Sequence, residues 1–261
     1  MNNMLKILEV KIQIDFKSNE RSTKPLNMIM NELLLSYVDI DYRDMISSQI
    51  IKPYTQSIVF SKEENLYIWK IASLDTQATE NILYVFRDKL SEEIFLKQYD
   101  IVLRVQAKNY IHSTTYRQLV EKYFTTDCRC RKIDLEFVTP TIFYSNDEYA
   151  VLPQLTNLLE NLICIWNLFA GENVLQEQNL SLNLAKQIYV IDYDFNIKPI
   201  VDEDNKVPAL TGIYSLGLRH NIMAKKIICM LAEFAQYCGI GKKTDLGWGN
   251  VKSTIFRNNK I

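Results

Sequence analysis

The residues Gly239-Ile240-Gly241-Lys242-Lys243-Thr244-Asp245-Leu246-Gly247-Trp248-Gly249 have the composition that most needs a chemical reason. Four of the chain's seven glycines fall here, as two G-x-G elements around a short basic turn. Glycine tolerates φ > 0 and lets another backbone or a ligand approach closely. Two explanations fit the spacing. One is a loop whose N–H groups face an anion, with Lys242 and Lys243 adding charge. The other is a tight helix-to-strand connection with Gly239 as the helix C-cap. A nucleotide P-loop is excluded, because G-x-x-x-x-G-K-[ST] fails at Gln236 and the loop follows a helix-like run instead of a strand.

Other reactive residues are sparse. The two histidines, His112 in a Tyr/Ser/Thr-rich segment and His220 after Arg219, read as solvated side chains before they read as catalysts. Cys128-x-Cys130 is too tight for a zinc knuckle and has no second pair, while Cys164, Cys229 and Cys238 sit in apolar helical runs as small core residues. No HExxH or GxSxG pattern occurs and no DxD pair or carboxylate cluster suggests a metal, so neither a metal nor a cofactor is expected. The formal charge of −1 is unevenly spread. From Arg219 onward, eight Lys or Arg side chains face only Glu233 and Asp245, a basic segment suited to a polyanion. With 48% apolar residues and no signal-peptide pattern or run long enough to span a membrane, the chain is expected to be cytoplasmic.

The elements that must position these residues repeat one order. Leu5–Phe16 alternates as a strand, and Ser22 or Thr23 is placed to cap a helix over Leu26–Tyr37. A polar connection (Val38–Ser48) follows, then strands to Phe60 and over Leu66–Ser73, a helix over Thr76–Leu90 and a strand at Ile101–Val105. The second half has a strand at Ile133–Phe143, a helix at Leu155–Phe169, extended segments at Ile188–Asp192 and Thr211–Leu218 around the acidic Asp202-Glu203-Asp204, a helix at Met223–Cys238 and a strand at Asn250–Phe256. Each half reads β-α-β-β-α-β, the ferredoxin-like order that RNA-recognition domains use. The fold class expected is α+β, two tandem ferredoxin-like domains over 1–115 and 116–261.

Four segments resemble one family in the right order. The glycine loop is similar to the C-terminal signature of CRISPR-associated repeat-processing endoribonucleases of the RAMP superfamily, the "Cas six" type. Lys52-Pro53-Tyr54-Thr55-Gln56-Ser57 resembles its K-P-[FY]-T-x-S element, Phe137-Val138-Thr139-Pro140-Thr141 its F-x-T-P-T element, and Trp166-Asn167-Leu168-Phe169-Ala170-Gly171 its W-N-x-F-A-G element. The resemblance implies binding of CRISPR repeat RNA and metal-independent cleavage, in which the 2′-hydroxyl attacks the adjacent phosphate and leaves a 2′,3′-cyclic phosphate. It places RNA contacts at Gly239, Gly241, Lys242, Lys243, Thr244, Gly247, Gly249 and Lys252. Many members carry a histidine shortly before K-P-[FY]-T, and here that position holds Ile46 or its neighbour Met45. Lys52 is retained as a cation for the phosphorane, with Tyr42 a weak proton donor or acceptor. The alternative is a non-cleaving, RNA-binding subunit of a RAMP-type complex, with other effector subunits or a second copy of the chain as partners.

Overall fold

Alternating burial builds β1 (Met4–Phe16): Leu8, Val10 and Ile12 enter the core while Lys11 and Gln13 face outward. The computed structural model describes residues 3–17, 24–127, 129–145, 148–202 and 205–257. Ser22, Thr23, Cys128, Glu203 and Asp204, singled out above, lie outside the described residues. The chain folds as two units. One comprises Met4–Ser113 with Asp245–Gly247, and the other Met1–Asn3, Thr114–Thr244 and Trp248–Ile261. These are not simple halves, because three residues of the glycine loop belong to the N-terminal unit.

In the N-terminal unit, α1 (Leu26–Ser36) follows Pro25, whose fixed φ suits a helix entry. The segment read as a polar connection is a second helix, α2 (Ile40–Ser47), with the Asp39 carboxylate accepting from the Asp41 N–H at 3.0 Å. Its only fully buried side chain is Ile46, so no apolar stripe announced it. β2 (Tyr54–Ser61) and β3 (Leu66–Ser73) form a hairpin. The next helix starts as an α-turn, α3 (Thr76–Ala78), widens to a π-helix over Thr79–Tyr84 and returns to α in α4 (Val85–Lys89). This path buries Ala78, Thr79, Ile82, Leu83 and Phe86 together. β4 (Glu93–Leu96) is an added edge strand, and β5 (Ile101–Thr115) runs ten residues beyond the segment expected. The sheet order β2-β3-β1-β5-β4 contains the ferredoxin-like arrangement with one extra strand.

The C-terminal unit opens with α5 (Tyr116–Phe124), held by a capping box between Thr115 and Gln118. β6 (Cys130–Thr141) leads into a small hairpin, β7 (Phe143–Ser145) and β8 (Glu148–Ala150). Then come α6 (Leu155–Phe169), α7 (Leu180–Ala185), β9 (Ile188–Asp202), β10 (Asn205–Leu218), α8 (Ile222–Cys238) and β11 (Val251–Arg257). The order β11-β6-β10-β9 is again ferredoxin-like, so the α+β expectation of two such folds holds. β9 and β10 are long partners in one hairpin, longer than the two extended segments read from the sequence. At the core Trp166 packs edge to face with Tyr116 and Phe234, with centroids 4.9 and 5.2 Å apart, and Tyr116 and Phe234 form a tilted pair at 5.6 Å, each pair contributing roughly 0.5–1.5 kcal/mol beyond area burial. Cys229 and Cys238 are buried as expected. Cys164 is exposed: the core face of α6 is set by Leu158, Leu162, Ile165 and Trp166, and position 164 falls off it.

Candidate RNA-processing site

The glycine loop begins where α8 ends. Gly239 takes φ +70° and donates to the Ala235 carbonyl at 2.9 Å, so the C-cap reading is correct at that residue. Gly241 (+92°), Lys243 (+59°) and Gly249 (+65°) are also left-handed. A Cβ on Gly249 would lie 2.0 Å from the Ile240 carbonyl oxygen, and one on Gly241 2.5 Å from that of Ile142. Backbone approach is therefore what these glycines permit. The N–H of Ile240 donates to Gly249, that of Lys242 to Ile142, that of Trp248 to Lys243, and that of Gly249 to Pro140, at 2.9–3.4 Å. The Asn250 N–H donates to the Thr139 hydroxyl at 2.9 Å. These donors are turned into the protein and tie the loop to the Thr139-Pro140-Thr141 segment and Ile142. Its Thr244 methyl fills the space beside Gly239 and Gly249.

Charge at the loop is carried by side chains. Lys242 is exposed, with its ammonium 3.4 Å from the ring centroid of Tyr144, a cation–π contact. Lys252 is exposed on β11, paired across the sheet with Glu136.

Gly247 belongs with the N-terminal unit. At φ +96°, a Cβ there would meet the Asn27 side chain at 2.6 Å. The Asn27 amide donates to the Leu246 carbonyl at 2.6 Å, Gln56 donates to the Asn27 carbonyl at 2.9 Å, and the Trp69 indole N–H donates to Gln56 Oε1 at 2.9 Å. Tyr54, Thr55, Gln56 and Ser57 are all buried. The K-P-Y-T-Q-S element thus supplies packing and a polar relay for Asp245–Gly247. The W-N-x-F-A-G element is similarly structural. Asn167 exchanges two hydrogen bonds with the backbone of Leu175, and Gly171 takes φ +61° just past the helix.

Lys52 follows α2. Its ammonium donates to the carbonyls of Ile46, Ser47 and Gln49 at 2.9, 2.7 and 2.6 Å, where the helix end leaves acceptors unpaired. Ile46 is 2% exposed and packs in the core, as an apolar residue in that position should. Tyr42, on the same helix, has a buried hydroxyl with no hydrogen-bond partner among the described residues. Burial, and then the Asp75 carboxylate, push its phenol well above the ordinary range. Tyr42 therefore remains protonated at neutral pH and has no capacity as a base. His112 and His220 are both exposed. Among the described residues no group of three or more His, Cys, Asp or Glu is placed to hold a metal ion. No helix among them is long and apolar enough to cross a membrane.

The sequence model of the family "CRISPR-associated endoribonuclease Cas6" matches residues 135–251, from the middle of β6 through the T-P-T segment and the glycine loop to the first residue of β11. Over this stretch the chain is similar to the Cas6 family. It is 21% identical to the Cas6 endoribonuclease of Streptococcus thermophilus over 250 residues, covering 93% of this chain and 97% of that protein. With the Cas6 endoribonuclease of Mycobacterium tuberculosis it shares 21% over 253 residues, 97% of this chain and 79% of that one. A solved Cas6 product complex shares its fold with a TM-score of 0.75 at 18% identity, over 96% of this chain and 99% of that one. The residues missed from the sequence are Asn27, which receives the Asp245–Gly247 segment, and the tyrosine pair Tyr144 and Tyr149. A signal for the pair was present in the letters: apolar and aromatic residues flank the polar run Ser145-Asn146-Asp147-Glu148.

Proposed function

We propose that this chain acts as a Cas6-type endoribonuclease that binds precursor CRISPR RNA and cleaves it within the repeat. The observation that carries the reading is the glycine loop docked on the T-P-T segment, within the stretch that the family's sequence model matches. The endoribonuclease names of full-length relatives favour the enzyme over a non-cleaving subunit. The partner is repeat RNA, and the site of action is the cytoplasm.

The reaction is a transesterification. The 2′-oxygen loses its proton to a base and bonds to the adjacent phosphorus, while the bond to the 5′-oxygen breaks and that oxygen takes a proton. The products are a 2′,3′-cyclic phosphate and a 5′-hydroxyl, with no water consumed. Such a step needs proton transfer and positive charge on the phosphorane, and we assign it no metal. Lys52 is proposed as that charge, exchanging the carbonyls of α2 for a phosphate oxygen when RNA binds. Tyr42 is proposed only as a proton donor, since its raised pKa removes the opposite role. Lys242, Lys243, Thr244 and Lys252, with the glycines that shape their loop, are proposed to hold the RNA backbone.

The test is incubation of excess protein with its repeat RNA in EDTA. The expected outcome is a 5′ fragment ending in a cyclic phosphate; RNA left intact overturns the enzymatic reading. Under single turnover, Lys52→Ala should slow cleavage about a hundredfold and leave RNA affinity nearly unchanged. Equal losses in rate and affinity would make Lys52 a docking or positioning residue.

A further inference from the structure

We propose that the β7–β8 hairpin is a stacking site for one unpaired nucleobase of the RNA, with Lys242 meeting the phosphate beside it. The proposal rests on the RNA-binding reading above and adds a subsite to it.

Tyr144 and Tyr149 sit directly opposite each other across the hairpin, with ring centroids 5.4 Å apart and planes at 83°. They are 38% and 42% exposed, although burying an aromatic side chain is among the most favourable things a fold can do with it. The hairpin itself is anchored. On its other face Phe143 is buried against Phe137, with centroids 5.8 Å apart. Ser145 accepts a hydrogen bond from the Asn157 amide of α6 at 2.8 Å. Glu148 alternates to the face opposite Tyr149.

This ring pair is tied to the glycine loop. The Ile142 carbonyl, at the root of the hairpin, accepts from the Lys242 N–H at 3.1 Å. Gly241 makes that approach possible, because a Cβ there would lie 2.5 Å from the same oxygen. The Lys242 ammonium then covers one face of Tyr144. A cation beside an exposed aromatic surface is the pairing that single-stranded nucleic-acid sites use, the ring for the base and the charge for the backbone. With one face of Tyr144 covered by Lys242, Tyr149 is the ring on which the base stacks.

The experiment measures binding of single-stranded repeat RNA, of the same RNA annealed into a duplex, and of oligouridylate. It compares wild type with Tyr149→Ala, Tyr149→Phe and Lys242→Ala. Tyr149→Ala should weaken single-strand binding about tenfold and leave the salt slope unchanged, because stacking releases no counterions. Tyr149→Phe should bind as wild type, Lys242→Ala should flatten the slope, and duplex binding should be indifferent to position 149. Single-strand affinity within twofold of wild type for Tyr149→Ala, or an equal loss on duplex, overturns the proposal. A readout independent of any variant is 2-aminopurine scanned through the single-stranded RNA. Quenching at one position on binding is expected, and its absence at every position also overturns the subsite. Failure of the wild type to bind repeat RNA while the oligouridylate difference persists would overturn the repeat-processing reading and leave the subsite standing.

Discussion

In the glycine loop the backbone satisfies itself and the side chains are left to act; at the end of α2 a side chain satisfies the backbone. Ile240, Lys242, Trp248 and Gly249 all donate to carbonyls of their own unit, and the Lys242 ammonium stays exposed over Tyr144. Lys52 instead gives its ammonium to three carbonyls of α2. Both regions present lysines beside family motifs, yet they differ in what a substitution removes. In the loop, the close backbone approaches reside in glycines and the exposed charge in Lys242, so the two can be broken separately. At α2, the helix terminus and the charge are one interaction.

The sharpest way to break the contrast is at Gly249. Gly249→Ala forces a Cβ to 2.0 Å from the Ile240 oxygen at a left-handed φ, and it strains the hydrogen bonds that close the loop. The expected loss is about 3 kcal/mol of unfolding free energy, measurable by urea titration. A loss below about 1 kcal/mol would mean that the loop backbone relaxes freely. Next is Lys52→Ala, expected to cost about 1–2 kcal/mol because the freed carbonyls are within reach of water. An unchanged denaturation midpoint would show that the ammonium is not needed by the helix. Lys242→Ala with Lys243→Ala is expected to leave stability within about 0.5 kcal/mol. It should lower the slope of log affinity against log salt by about one to two units. Loss of affinity at constant slope would place the phosphates elsewhere.

The smallest effect concerns Asp75, which caps α3 through the Ala78 N–H at 2.6 Å and whose carboxyl is raised by burial. A carboxyl with a raised folded-state value binds more protons folded than unfolded. Its contribution is therefore best in acid and declines as pH climbs from the unfolded value toward the folded one. Asp75→Asn should flatten the stability profile across that window in thermal denaturation. An unaltered profile would deny Asp75 any role in it.

The β-α-β-β-α-β order was legible because its strands alternate and its main helices carry apolar stripes, as in α6 and α8. α2 was not, because a helix that buries only Ile46 fully looks polar in sequence. α5 was lost in the join between the halves, where the capping signal of Thr115 and Gln118 was the usable clue. At the site, the glycines were legible as a demand for unusual backbone geometry. Their reason was not, because it depends on Pro140 and Ile142, a hundred positions earlier, and on Asn27 and Gln56 farther still. Tyr144 and Tyr149 flank a polar run that is legible as a strand-pair signal, but their exposure, which a string of letters does not record, is what distinguishes them.

The passage of Asp245–Gly247 into the N-terminal unit has a consequence for dissecting the molecule. That unit is not a contiguous piece of gene. A fragment ending at Ser113 would carry Asn27 and Gln56 without the Leu246 carbonyl and Gly247 that complete their contacts. Co-expressing the two halves, or grafting residues 245–247 onto the first by a linker, would supply in trans what the native chain supplies by doubling back.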